Sequence, residues 1–154
     1  VVLGSNTASI IESSRIPVLV VPELAEFKSF KNLVYATDLR HLEEELEVMM
    51  PYIRIFESDV TVYHVVSSQK GIDEATHKIK EALAKVDYKK FAVCIEAAKD
   101  IDDAIEKYLK ENTCDLLTTF TREHSFYERL FDRSLTRKLA FQSRTPLLAF
   151  RQSA

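Results

Sequence analysis

The sequence has no long apolar run, hardly any glycine, few cysteines and no excess of positive charge. Each shortage removes a class of function. No stretch approaches the roughly 18 consecutive apolar residues of a membrane span, so no membrane partner is expected. No charged n-region precedes an apolar run, so no secretory signal is expected either. A formal charge of −3 and a pI near 5.8 lack the basic stripe of a nucleic-acid binder. Cys94 and Cys114 are the only cysteines and make no disulfide framework. Both sit in or beside apolar runs, which reads as reduced core thiols in a cytoplasmic protein. His41, His64, His77 and His124 show no metal-ligand spacing with either cysteine, so no metal site is expected. Gly4 and Gly71 are the only glycines.

What is present fits one domain with a real core. The chain has 154 residues, 46% hydrophobic and 29% charged, which excludes global disorder. Five short apolar runs, rich in β-branched and aromatic residues, recur along it: 33–36, 60–66, 91–95, 116–120 and 146–150. They are mostly without polar alternation, which predicts a parallel sheet covered on both faces. Helical patterns lie between them. Leu42, Leu46, Met49, Ile53 and Phe56 mark one helix, with Pro51 as an expected kink. Ile72, Ala75, Ile79, Leu83 and Val86 mark the next. Ile101, Ile105, Tyr108 and Leu109 mark a third, for which Asp100 is a suitable cap. Ser125 to Glu128 has capping-box spacing, and Leu135, Leu139 and Ala140 give one face of a last helix. Strands alternating with helices imply right-handed βαβ units and an α/β fold.

The first residues do not fit that plan. Gly4 to Ile16 reads as helix, and Pro17 to Pro22 as a strand bounded by prolines. At an offset of 129 this segment matches the end of the chain. Ser5, Thr7, Ser14, Arg15, Pro17 and Leu19 match Ser134, Thr136, Ser143, Arg144, Pro146 and Leu148, six identities over 18 positions. An internal repeat explains this; the competing reading is chance similarity of two helix–strand segments. The expected organisation is the terminal helix and strand of a truncated first repeat over 1–22, a linker over 23–30 and a complete domain over 31–151. The remainder of the first unit is expected to lie outside this sequence.

These segments resemble universal stress proteins. Asn32 to Asp38 is similar to their first strand, which ends in an acidic residue, and Val62 to Val66 to their second. Ser134 to Phe150 is similar to their last helix and strand, and Gly4 to Pro22 to the same element of a preceding copy. The resemblance implies an adenine nucleotide alpha hydrolase-like fold: a five-stranded parallel sheet, order 3-2-1-4-5, with helices on both faces. It also implies tandem or dimeric members that pair their last strands antiparallel.

In a doubly wound sheet the ligand crevice lies where the winding reverses, here between the first and fourth strands. Asp38 and Val66 would border it. Nucleotide-binding members carry Gly-x-x-Gly, nine residues, then Gly-Ser/Thr, because bare backbone lets N–H groups approach phosphate. The matching positions here are Phe120, Glu123, Arg133 and Ser134. All three glycines are replaced. Phe120 adds bulk, Glu123 sets a carboxylate against polyphosphate, and only Ser134 keeps its type. The motif is therefore degenerate, and ATP is not expected as a cofactor of this domain. A counter-reading takes Arg122, His124 and Arg137, with other arginines near the end, as an anion site without glycines; the alternative is a solvated basic face.

Other groups carry little chemistry. Asp38 reads as a strand-end residue capping the next helix, or as a general base or nucleotide contact. His64 reads as a packed, hydrogen-bonded histidine. Glu43, Glu44 and Glu45 read as an exposed helix face near a positive helix end. Ser125 lacks a nucleophile elbow. No enzyme activity is expected.

An isolated strand such as Val18 to Val21 invites pairing. Its expected partner is its repeat image, with Val18 and Val20 against Leu147 and Ala149, within one chain or in a swapped dimer. The expected function is a non-catalytic regulatory or interaction domain of the stress response. Its partners would be a second copy or the first domain of the same tandem protein, together with a further protein. The alternative is an ATP-binding stress sensor or slow ATPase.

Overall fold

Unbroken apolar strands are stable only with cover on both faces, and the helices supply it. The computed structural model of the chain describes residues 10–11, 13–26, 28–121 and 144–151. Its elements run β1 (Val18–Val20), β2 (Asn32–Ala36), α1 (Leu42–Phe56), β3 (Asp59–Val66), α2 (Gly71–Ala84), β4 (Phe91–Ala97), α3 (Ile101–Glu111), β5 (Leu116–Thr121) and β6 (Leu147–Arg151). Residues 10, 11 and 13 are helical. The expected helical signals around Ser125 and Leu135 lie outside the described residues.

The sheet has six strands, in the order β1-β6-β5-β2-β3-β4. The expectation is a five-stranded sheet with an N-terminal helix and strand pairing at its edge; β1 joins as a sixth strand of the same sheet. β2 to β6 run parallel, and β1 adds to the outer edge of β6 antiparallel. The reason is the edge itself: β6 alone would present a row of unpaired backbone groups. The register sets Val18 against Ala149, Leu19 against Leu148 and Val20 against Leu147. Its centre, Leu19 with Leu148, is the pair that the offset of 129 equates.

Side chains alternate along each strand, so each face has its own core. On one, Leu33, Tyr35 and Val62 meet Leu46 and Ile53 of α1 and Ile79 of α2. On the other, Val34, Ala36, Tyr63 and Leu117 meet Ile105 of α3. Asp100 caps α3, its Oδ1 accepting the Asp103 N–H at 3.0 Å. Pro51 does not end α1. It lies on the exposed side, where a carbonyl left without its helical partner meets water. Phe30, at the end of the expected linker, packs edge-on against Phe56, ring centroids 5.1 Å apart.

The scarcity of glycine shows at the end of α1. Glu57 stands in the left-handed region at φ 51. Its N–H and that of Ser58 close the helix onto Arg54 and Ile53 carbonyls, a Schellman closure usually given to glycine. Glu57→Gly should therefore raise stability by about 0.5–1 kcal/mol, read in urea melts. The exposed Lys31–Glu57 pair at 3.2 Å offsets little. A loss of stability would overturn the argument.

Candidate functional site

The winding reverses between β2 and β5, so their carboxyl ends define the crevice. The chain leaving β2 here is held by its own side chains. Thr37 Oγ1 accepts the Leu39 N–H at 3.0 Å, and Asp38 Oδ1 accepts the Arg40 N–H at 3.0 Å. Asp38 Oδ2 lies 3.6 Å from Arg40 Nε. Between these two turns Leu39 adopts φ 62 with its side chain buried, a conformation that costs a branched residue energy. Two amides at the mouth are thus bonded inside the loop. Asp38 closes a turn of the loop before the helix begins. α1 starts at Leu42, and its cap His41 makes no side-chain cap bond.

His64 on β3 joins the same loop. A carbonyl only accepts, so His64 Nδ1–H donates to Thr37 O at 2.7 Å, leaving Nε2 as the acceptor of the neutral ring. Burial pushes the His64 pKa below 6.5, opposed by the Thr37 bond and the Asp38 charge and helped by Lys78. The unfolded chain then takes up this proton first, so stability is present above pH 6.5 and declines as pH falls below it. The stability advantage of wild type over His64→Gln should shrink between pH 7 and pH 5 in denaturant melts. An advantage that grows toward acid would contradict this.

Beneath the loop lies a group that the sequence reading placed on the surface. Glu45, in the first turn of α1, is only 3% exposed. Its Oε2 accepts the Tyr35 hydroxyl and the Thr37 Oγ1 hydroxyl at 3.5 Å. The expectation of an exposed Glu43–Glu45 run is corrected at Glu45, while Glu43 and Glu44 are exposed. The signal was there: Glu45 falls three residues after Leu42 and four before Met49, on the buried stripe of α1.

β5 brings Phe120 and Thr121 to the crevice end. The Phe120 ring does not face it. It lies in the core, stacked on Phe150 at 4.9 Å and edge-on to Tyr35 at 6.2 Å. Thr119 Oγ1 donates to Ala36 O at 3.4 Å and Thr121 Oγ1 to Phe150 O at 3.2 Å. Among the described residues, buried Thr118 Oγ1 has no hydrogen-bond partner. Val66 ends β3 half-buried, packed on the α1/α2 core. Arg122, Glu123, His124, Arg133, Ser134 and Arg137 lie outside the described residues. Val18, Val20, Leu147 and Ala149 come together in the β1–β6 ladder, within one chain.

The remaining titratable groups sit elsewhere. Glu96 accepts the Tyr63 hydroxyl at 2.9 Å, beneath α3. Burial, then Glu96, pushes the Tyr63 pKa far up. Burial likewise pushes the Cys114 thiol up to about 12, so it stays protonated. Among the described residues, no group of histidine, cysteine and acidic side chains is placed to hold a metal, and no helix is long and apolar enough to cross a membrane.

Solved structures share this architecture. A universal stress protein from Archaeoglobus fulgidus DSM 4304 superposes with a TM-score of 0.69 at 15% identity, over 98% of this chain and 55% of its own. A universal stress protein in complex with cAMP gives 0.57 at 16% identity, over 82% of this chain and 100% of its own. Another from Archaeoglobus fulgidus gives 0.57 at 17%, over 78% and 93%.

The fold is that of universal stress proteins.

Identities this low establish the fold and nothing finer. By sequence, no family model and no curated protein matches the chain. The chain spans 55% of the length of the first of these universal stress proteins. The cAMP-bound one is matched in full by 82% of this chain.

Proposed function

We propose that this chain is a non-catalytic regulatory or interaction domain of the universal stress type, acting in the stress response with a degenerate nucleotide motif. The observation that carries this is the β2–α1 loop. Its Leu39 and Arg40 amides are bonded to Thr37 and Asp38 side chains, so they are not offered to a phosphate. The replacement of three motif glycines by Phe120, Glu123 and Arg133 supports the same reading. So does Phe120, whose ring serves the core.

We place residues up to Pro22 as the closing helix and strand of a preceding unit, joined through the last strand of the complete domain. Two facts support it: the 129-residue offset, and an antiparallel ladder centred on its equivalent pair, Leu19 and Leu148. Exchange of β1 between two copies would give the swapped dimer of the same contact. On this reading the protein is cytoplasmic and works by capturing a further protein.

A second reading, an ATP-binding sensor or slow ATPase, draws on the neighbour in complex with cAMP. It would need Arg122, Arg133 and Ser134 to replace glycine backbone. Calorimetric titration with ATP and Mg²⁺, and separately with cAMP, separates the two. The regulatory reading expects no binding heat at millimolar nucleotide. Micromolar affinity for either nucleotide would overturn it and favour the second.

A further inference from the structure

The sheet has two edges, and the chain treats them differently. β1 closes the outer side of β6. β4 stands at the other end, and among the described residues no strand pairs with its outer side. Such an edge templates another strand unless proline, a bulge or a central charge guards it. β4 reads Phe-Ala-Val-Cys-Ile-Glu-Ala over 91–97, with no proline and its one charge near the end. Phe91, Val93 and Ile95 are only partly buried, and Ala92 is exposed.

The backbone shows which groups point outward. Lys90 O accepts the Val60 N–H at 2.8 Å, and the Ala98 N–H donates to Val66 O at 2.9 Å. Direction alternates along a strand, so the even-numbered residues of β4 bond β3. The N–H and C=O groups of Phe91, Val93, Ile95 and Ala97 therefore point away from it.

Charge complementarity favours a second copy in one register; exposed Lys90, whose Nζ donates to Glu57 O at 3.2 Å, has further N–H donors to offer. Antiparallel pairing of β4 with its own copy, centred on Val93, sets Lys90 opposite Glu96 and brings Asp87 near Lys99. Symmetry makes each pair twice. Lys90 and Glu96 then form a non-hydrogen-bonded pair, the kind with closer side chains. Phe91 faces Ile95, and Ala92 faces Cys94. Centring on Cys94 instead sets Lys89 against Lys99, and centring on Ile95 sets Phe91 against Lys99. Glu96 is already held at the edge by Lys107 at 3.3 Å and by Tyr63, so its carboxylate is positioned before a partner arrives.

We propose that β4 is a self-association edge: two copies of this chain join their sheets antiparallel about Val93. The contact is separate from the β1–β6 ladder and does not depend on the nucleotide question.

Sedimentation velocity of the whole chain at rising concentration tests it. A dimer is expected. Val93→Pro removes an outward N–H and no bond to β3, a position where edge strands tolerate proline. It should weaken the dimer at least about tenfold, equivalent to about 1.4 kcal/mol, with an unchanged circular dichroism spectrum. Lys90→Glu, which sets two carboxylates face to face, should weaken it too. Ala92→Cys places a thiol opposite Cys94 of the second copy, so mild oxidation should yield a covalent dimer that wild type does not form. A chain that stays monomeric at every concentration overturns the proposal. So does a dimer that survives both Val93→Pro and Lys90→Glu but is lost in Leu19→Pro, which would assign association to exchange of β1. An edge that takes up only an extended peptide of another protein overturns it as well.

Discussion

Replacing Phe120 with glycine is expected to cost about 4–6 kcal/mol of folding free energy and to create no phosphate site. By motif alone Phe120 stands where a nucleotide-binding relative has glycine, so the substitution would restore one-third of the lost glycines. The structure gives the ring other work. It is 3% exposed, stacked on Phe150 and edge-on to Tyr35, on the face of the sheet that α1 and α2 cover. Removing it opens a cavity between three strands and frees a backbone position in β5. For a domain of this size each kcal/mol shifts Tm by about 2–4 °C, so a drop of roughly 10–20 °C should appear. Phe120→Leu, which keeps most of the buried area, should lose only about 1–1.5 kcal/mol. A glycine variant within about 0.5 kcal/mol of wild type, the range of surface substitutions, would place the ring outside the core. ATP binding gained by the variant would show that position 120 controls phosphate access after all.

The same residue shows what the sequence reveals and what it hides. An apolar run of four to seven residues predicts a buried strand, because both faces must be covered. The runs at 33–36, 60–66, 91–95 and 116–120 lie in strands, and of the run 146–150 all but Pro146 does. A run does not say which face each side chain takes. That depends on register, which is why Phe120 read as an obstruction at the site while its ring serves the core. Asp100 was legible because a cap is local: the acceptor and its N–H are three residues apart. Asp38 was less so. Its Oδ1 accepts the Arg40 N–H, a turn made at the left-handed Leu39 that no local pattern announces. No pattern in a chain this poor in glycine announces a positive φ at leucine or glutamate. The pairing of β1 with β6 was legible through the repeat, since an offset that equates Leu19 with Leu148 names the partner strand. The arginines and the serine of the motif fall in 122–143, outside the described residues, so the sequence reading of that segment stands as an expectation.

Glu45→Ala should be the second costly change, at about 2–4 kcal/mol. The carboxylate is buried among apolar residues of α1 and β2, and burial of a charge is tolerated only with hydrogen bonds. Tyr35 and Thr37 supply them, and the first turn of a helix favours negative charge. Alanine removes the acceptor and leaves a void beside the Tyr35 hydroxyl, itself fully buried. Three further variants separate the causes. Tyr35→Phe keeps the packing and removes one donor, so it should cost about 1–3 kcal/mol. Glu45→Gln keeps an acceptor in the same place and removes the charge. If the hydrogen bond is what matters, it should lose less than about 1 kcal/mol; if the charge matters, it should approach alanine. Glu45→Leu removes charge and acceptor but fills the space, as a hydrophobic replacement of a buried ionic group can do at little net cost. Urea melts of the set decide. Should leucine match or exceed wild type while alanine falls, the carboxylate contributes little net stability, and its place under the β2–α1 loop is the better account of why a charge sits in this core. An alanine variant as stable as wild type would return Glu45 to the surface, beside Glu43 and Glu44.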